Sequence, residues 1–173
     1  MLLKGRAWTF GDGISTDLII PGRYAYLRGD LSALAKHTLE DVRPEFAAQV
    51  QPGDLLIAGR NFGLGSSREH AVLVLKQLGV SAVIAASIAR IFFRNCINLG
   101  LPAIEVETAG IEDGDEIEVD LQACVLVDRT KGLRRSFSPF PTIIRMILYE
   151  GGLVPYMRKY KKFLETEGVS AHE

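Results

Sequence analysis

The stretch that most constrains this chain is Gly59-Arg60-Asn61-Phe62-Gly63-Leu64-Gly65-Ser66-Ser67-Arg68-Glu69-His70-Ala71. It follows the apolar run Leu55-Leu56-Ile57-Ala58, which reads as a buried strand, and leads into Ala71 to Leu78, whose spacing predicts a helix. Its glycines allow a tight turn and let other atoms approach the backbone closely. Ser66 or Ser67 is placed to cap the helix, with amides at the positive end of the helix dipole. A strand, a glycine loop and a helix N-terminus carrying two hydroxyls and an arginine together make an anion site. The same residues also fit a plain turn and cap, with Arg68 paired to Glu69 or Glu45. The local pattern alone leaves both readings open.

The flanking elements say what such a loop belongs to. Lys4 to Phe10 reads as a first strand, and Gly11-Asp12-Gly13 as a turn. Asp12, Thr16 and Asp17 read as turn residues bonding to their own backbone. Gly22 to Asp30, rich in arginine, tyrosine and glycine, reads as an exposed, mobile loop. Its two arginines and two tyrosines beside an anion site make a carboxylate clamp the competing account. Short helices are expected at Leu31 to Leu39 and Pro44 to Val50. After the central helix, Val80 to Ala86 reads as a β-branched strand buried on both faces. Strand, helix, strand at this length makes a βαβ unit in a parallel sheet. A helix over Ser87 to Asn98 and a strand at Ala103 to Val106 follow, separated by Gly100-Leu101-Pro102.

From Gly110 to Phe137 the pattern becomes antiparallel, with Glu116 to Leu121 alternating cleanly before Cys124 to Val127. Helices are expected at Pro141 to Tyr149 and Leu153 to Phe163, then a frayed tail from about residue 164. At 173 residues the chain makes one domain, 1–173, of the α/β class. A net charge of −1 gives no electrostatic case for nucleic acid or an anionic membrane as partner. No apolar run is long enough for a membrane span, and the first residues carry no secretory pattern, so the expected location is cytoplasmic. Cys96 and Cys124 are too few for a disulfide scaffold and lack metal-ligand spacing, so no metal is expected on this chain. His37 and His70 have no partner motif, which favours surface or capping roles.

Three ordered stretches then agree on one family. They are Gly11-Asp12 with Thr16-Asp17-Leu18-Ile19-Ile20-Pro21-Gly22-Arg23-Tyr24, the central Gly59 to Ala71 stretch, and Ala89-Arg90-Ile91-Phe92-Phe93-Arg94-Asn95 with Asn98-Leu99-Gly100-Leu101-Pro102. Together they closely resemble the small subunits of 3-isopropylmalate dehydratase, relatives of the aconitase swivel domain. The resemblance carries specific motifs as far as Pro102 and runs weakly to about Tyr156. It implies a swivelling domain, with a mixed, mostly parallel sheet or half-barrel flanked by helices.

The resemblance also implies a split hydro-lyase of leucine biosynthesis. A large subunit carries a [4Fe-4S] cluster, and this chain, binding no cofactor itself, closes over it in a heterodimer or heterotetramer. The substrate would be a small di- or tricarboxylic hydroxy acid. Ser66 matches the family's serine base, while Ser67 and Arg68 match its substrate-carboxylate contacts. Gly63, Gly65 and Asp17 are expected to support the loop. Arg90, Arg94 and Asn95 are expected to hold the loop or dock the large subunit. Arg28 resembles the aconitase and homoaconitase pattern, in which an arginine binds the substrate's variable arm. The alternatives are therefore a homoaconitase small subunit, a non-catalytic anion-binding module, or a purely structural subunit.

Overall fold

The computed structural model describes residues 1–161. Strands β1 (Leu2–Phe10), β2 (Leu55–Ala58), β3 (Ala82–Ala85) and β4 (Ala103–Glu105) pair in parallel. Strands β5 (Glu116–Asp120), β6 (Val125–Asp128) and β7 (Arg134–Ser136) continue antiparallel, giving one seven-stranded sheet in the order β4-β3-β2-β1-β5-β6-β7. The change of direction happens within β1. Its first half pairs with β5, Gly5 opposite Ile117, and its second half pairs with β2, Ala7 opposite Leu55.

The parallel strands alternate between two cores. Trp8, Leu56, Ala58, Val83 and Ala85 face a core shared with helices α1 (Thr16–Ile19), α2 (Leu31–Ala35), α3 (Phe46–Gln49), α4 (Glu69–Gln77) and α5 (Arg90–Leu99). Ala7, Leu55, Ile57, Ala82 and Ile84 face the other way, against Ile117, Val119, Leu126 and Phe137 of the antiparallel half. The sheet thus curls over its own second face, which makes a half-barrel. This explains why β2 and β3 are buried at every position and read as unbroken apolar runs. Helices α6 (Thr142–Tyr149) and α7 (Leu153–Tyr160) pack on α5 through Ile97, Ile147, Leu148 and Tyr156. Among the described residues, no helix is long and apolar enough to cross a membrane.

Several expectations need correction. The helix expected from Leu31 to Leu39 ends at Ala35, as α2. The helix expected from Ser87 begins at Arg90, because Ile88 instead bridges to Phe62 and Ala89 donates to the Phe62 carbonyl at 2.8 Å. Strand β7 went unseen because Arg134-Arg135-Ser136 has no apolar alternation; the ladder to β6 makes it a strand. The loop expected at 22–30 is instead a 3₁₀ turn over Gly22–Leu27, and Tyr24 and Leu27 pack against the helical core. The Pro44 to Val50 helix shrinks to α3, one turn long. The end of the last expected helix and the tail lie outside the described residues.

Candidate functional site

The loop from β2 to α4 is held between the segments that follow β1 and β3. Gly13 donates to the Arg60 carbonyl at 2.8 Å, and the Arg60 amide donates to Asp12 Oδ1 at 2.6 Å. From the other side, Asn61 donates to Ser87 Oγ at 2.9 Å and Phe62 to the Ser87 carbonyl at 3.0 Å. Gly63 donates to the Ile14 carbonyl at 2.7 Å and Thr16 to the Leu64 carbonyl at 2.8 Å. Thr16 Oγ1 donates to the Ser66 carbonyl at 3.2 Å. Asp12 and Thr16 therefore bond across the chain, not to their own turn as expected. The loop sits at the carboxyl ends of three adjacent parallel strands, where α/β sheets place ligands.

Gly63 shows why glycine is needed. Its φ is +77°, and a Cβ there would lie 2.2 Å from Cγ of Phe92. At Gly65, φ is +108° and a Cβ would meet only Thr16 Oγ1, at 3.2 Å. The first glycine lets the loop rest on an aromatic ring; the second turns the chain toward the helix.

The expected serine cap is not there. Arg68 occupies the N-cap of α4, its side chain accepts nothing, and Ser66 and Ser67 are exposed before it. The Ser66 side chain makes no hydrogen bond among the described residues, nor do Ser67, Glu69 and His70 outside the helix. The N-terminus of α4 thus keeps orphan donors, which favours negative charge in front of it. Nor does Arg68 pair with Glu69 or Glu45. Its Nη1 meets Asp17 Oδ1 at 2.5 Å and donates to the Ile20 carbonyl at 3.1 Å.

These groups border a cleft of about 330 Å³, lined among others by Gly22, Ala25, Arg28, Ser67, Arg68 and His70. Arg28, Ser67 and Arg68, singled out from the sequence, share this cleft; Ser66 precedes Ser67 in the chain and is not among the residues that line it. Arg28 has no acidic partner among the described residues. A similar volume, about 370 Å³, opens beside α6 and α7, but it is mostly apolar and its carboxylate, Glu150, is taken by Lys159 at 2.6 Å and Tyr160 at 3.1 Å.

A polar cluster backs the 22–27 turn, and sequence reasoning missed it. The Tyr24 hydroxyl donates to Glu40 Oε1 at 2.6 Å, and His37 Nδ1 lies 2.7 Å from Glu40 Oε2. The Tyr24 and His37 rings stack at 3.7 Å. Arg23 reaches Glu40 and both oxygens of Asp41, at 2.6 and 2.8 Å. Partial burial works against the Glu40 carboxylate, but the bonds from Tyr24, His37 and Arg23 outweigh it and hold its carboxyl below the usual range. His37 is thus a built-in partner, not a loose surface histidine. No motif links residues 23–24 to 37–41, so only folding could show the cluster.

The donor set of this chain does not suit an iron–sulfur cluster. Cys96 is fully buried in the helical core, where burial pushes its thiol up, and Cys124 belongs to the opposite core. Among the described residues, no group of three histidine, cysteine or acidic side chains is placed to hold a metal.

Comparison with known proteins gives this geometry a context. Residues 32–109 match the aconitase C-terminal domain. The chain is 56% identical over 160 residues to 3-isopropylmalate dehydratase small subunit 2 of Archaeoglobus fulgidus, covering 92% of this chain and 97% of that protein. It is 53% identical over 163 residues to small subunit 1 of Thermotoga maritima, covering 94% and 98%. The methanogen homoaconitase small subunit of Methanothermobacter thermautotrophicus is 49% identical over 173 residues, covering 99% and 98%. A crystal structure of 3-isopropylmalate dehydratase from Methanocaldococcus jannaschii superposes with a TM-score of 0.88 at 45% identity, covering 93% and 96%. With sequence and half-barrel in agreement, the chain belongs to the 3-isopropylmalate dehydratase small-subunit family of aconitase-like proteins.

Proposed function

We propose that the chain is the small subunit of a 3-isopropylmalate dehydratase, a hydro-lyase completed by a large subunit that carries the [4Fe-4S] cluster. The observation that carries the reading is the shared cleft of Arg28, Ser67 and Arg68 at the end of α4 that no side chain caps, with the exposed Ser66 directly before Ser67 in the chain. Within this chain, Arg68 and Ser67 bind a substrate carboxylate, and the free amides of α4 add to its field. Ser66 takes the proton from the carbon beside that carboxylate as the hydroxyl on the neighbouring carbon leaves, so that a C=C bond forms and water is lost, and it returns the proton when water adds back. A serine hydroxyl is a poor base in water. The cationic surroundings favour its alkoxide, and Ser66 is exposed here, so the large subunit has to supply the cover that excludes water.

Arg28 favours a second reading, homoaconitase. It lines the cleft without a carboxylate of its own; it is exposed in this chain, and an arginine that the large subunit buried against an isopropyl group would be left unpaired at a cost of about 1–3 kcal/mol. Anaerobic reconstitution with the large subunit separates the two. Turnover of 3-isopropylmalate and of homoisocitrate is followed by the ultraviolet absorbance of the unsaturated acid. Faster isopropylmalate turnover supports the main reading, and faster homoisocitrate turnover replaces it. In either case Ser66→Ala is expected to lower kcat by about 10²–10⁴ with KM little changed. Full activity in that variant refutes Ser66 as the base.

A further inference from the structure

We propose that Glu40 is a positioning residue that clamps the Gly22–Leu27 turn and thereby fixes where Arg28 stands across the cleft from Arg68. The inference rests on the functional reading above and extends it to a residue outside the cleft lining.

The turn is only lightly tied to the rest of the chain. None of its six residues is fully buried, although Tyr24 and Leu27 pack against the helical core. At its ends, Tyr24 donates to the Pro21 carbonyl at 3.0 Å and Arg28 to the Ala25 carbonyl at 3.4 Å. By contrast, the segment behind it is fixed. Thr38 and Leu39 are fully buried, and Leu39 donates to the Ile19 carbonyl at 2.9 Å. Glu40 joins the two. One oxygen takes the Tyr24 hydroxyl and Arg23, and the other faces His37, whose ring lies flat against Tyr24, 13° from parallel. Arg23 adds a second tie through Asp41 and lies 4.9 Å over the Tyr24 ring. Three side chains from two segments therefore converge on one carboxylate.

Leverage gives the clamp a consequence. Arg28 is the residue directly after the turn. Six residues of 3₁₀ helix span about 12 Å, so a tilt of about 15° at Pro21 moves the far end by about 3 Å. That exceeds the tolerance of a hydrogen bond, so a loose turn carries Arg28 out of register with any substrate arm. A clamped turn instead presents Arg28 to each substrate from a fixed backbone position, and the difference between a carboxylate arm and an apolar arm is then felt more fully. Removing the clamp narrows that difference, whichever substrate the enzyme prefers.

The experiment uses Glu40→Gln, with Tyr24→Phe as the milder variant. Asp113→Asn, which breaks the remote Arg43 pair, is the control. Amide hydrogen exchange over residues 22–29 is measured on the full chain without substrate. The expected result is exchange about tenfold faster in Glu40→Gln, a smaller rise in Tyr24→Phe and none in the control. In the reconstituted complex, the ratio of kcat/KM for 3-isopropylmalate to that for homoisocitrate shrinks by about fivefold or more, through KM and with kcat nearly constant. Unchanged exchange in both variants overturns the clamp. Faster exchange with an unchanged substrate ratio overturns its role in specificity. A wild-type complex inactive on both acids, with exchange still accelerated, refutes the functional reading and leaves the clamp standing.

Discussion

Gly63→Ala tests whether the loop's shape is set by the ring beneath it. Two costs are separable. The left-handed backbone, φ +77°, costs an alanine about 1–2 kcal/mol. The added Cβ would also lie 2.2 Å from Cγ and 2.5 Å from Cβ of Phe92, well inside the distance at which carbon atoms attract. Phe92 is 1% exposed and meets Phe62 edge-on at 5.3 Å, so its ring has little room to retreat. Overpacking of this kind costs about 1–3 kcal/mol more, which makes about 2–5 kcal/mol in all, against a total stability of about 5–15.

Gly65→Ala supplies the comparison. Its φ of +108° lies further outside the left-handed well, but its Cβ would meet only a hydroxyl oxygen at 3.2 Å, so about 1–3 kcal/mol, all of it backbone strain, is expected. Urea denaturation followed by circular dichroism gives both values, provided the m-values match wild type. In the double variant Gly63→Ala with Phe92→Ala, the contacts with the ring are gone while the one with Cβ at 2.5 Å stays, so the two losses should fall short of additivity by about 1 kcal/mol. If the double variant is additive, Phe92 does not support the shape of the loop.

Two further predictions concern the frame that carries the site. Asp54, 4% exposed, accepts from Trp8 Nε1 at 2.9 Å, the Arg6 amide at 3.2 Å and the Gln51 amide at 2.9 Å. Asp54→Ala strands these donors at the junction of β1 and β2, and a loss of about 2–4 kcal/mol is expected in the same denaturation assay; a loss below about 1 would refute the account. Asp115 is buried, and desolvation alone would raise its pKa, but the pairing with Lys131 at 2.8 Å and the bond from the Glu112 amide at 2.6 Å hold it below the usual value. The unfolded chain therefore takes up this proton first on acidification, so the stabilisation is present at neutral pH and is lost as pH falls below about 4. Asp115→Asn should lower stability at pH 6 and flatten its acid dependence; an unchanged slope would remove Asp115 from the explanation.

The elements most readable in the sequence are those whose burial is one-dimensional. Strands β2 and β3 read as apolar runs because both faces are covered, and the glycine loop announced itself through residue types that few other structures require. What stayed hidden depends on atoms far apart in the chain. Strand β7 is defined by its partner, the capping serines lost their role to Arg68, and the mobile loop became a turn because Glu40 and His37 wait behind it. Family resemblance placed Arg28, Ser67 and Arg68 together before the fold did, but it was silent on what holds them.

The partner of Arg68 shows what such silence leaves out. Nearness in sequence suggested Glu69 or Glu45, yet the chain brings Asp17 to Nη1 while the Ile20 carbonyl takes the same nitrogen. The Arg68 side chain is 25% exposed and that of Asp17 is 59%, so the pair is worth little as a stabilising bond. Its value is orientation. With one nitrogen held, the guanidinium plane is set before a ligand arrives, and Nε and Nη2 bond to nothing else among the described residues. An incoming carboxylate can thus take the free edge without displacing Asp17, and less ordering entropy is charged to binding. Asp17 also offsets one of the two arginine charges at the cleft. On the function proposed above, the pocket would then attract a polyanion without holding it as tightly as two bare guanidiniums would, which suits a site that releases product after each turnover.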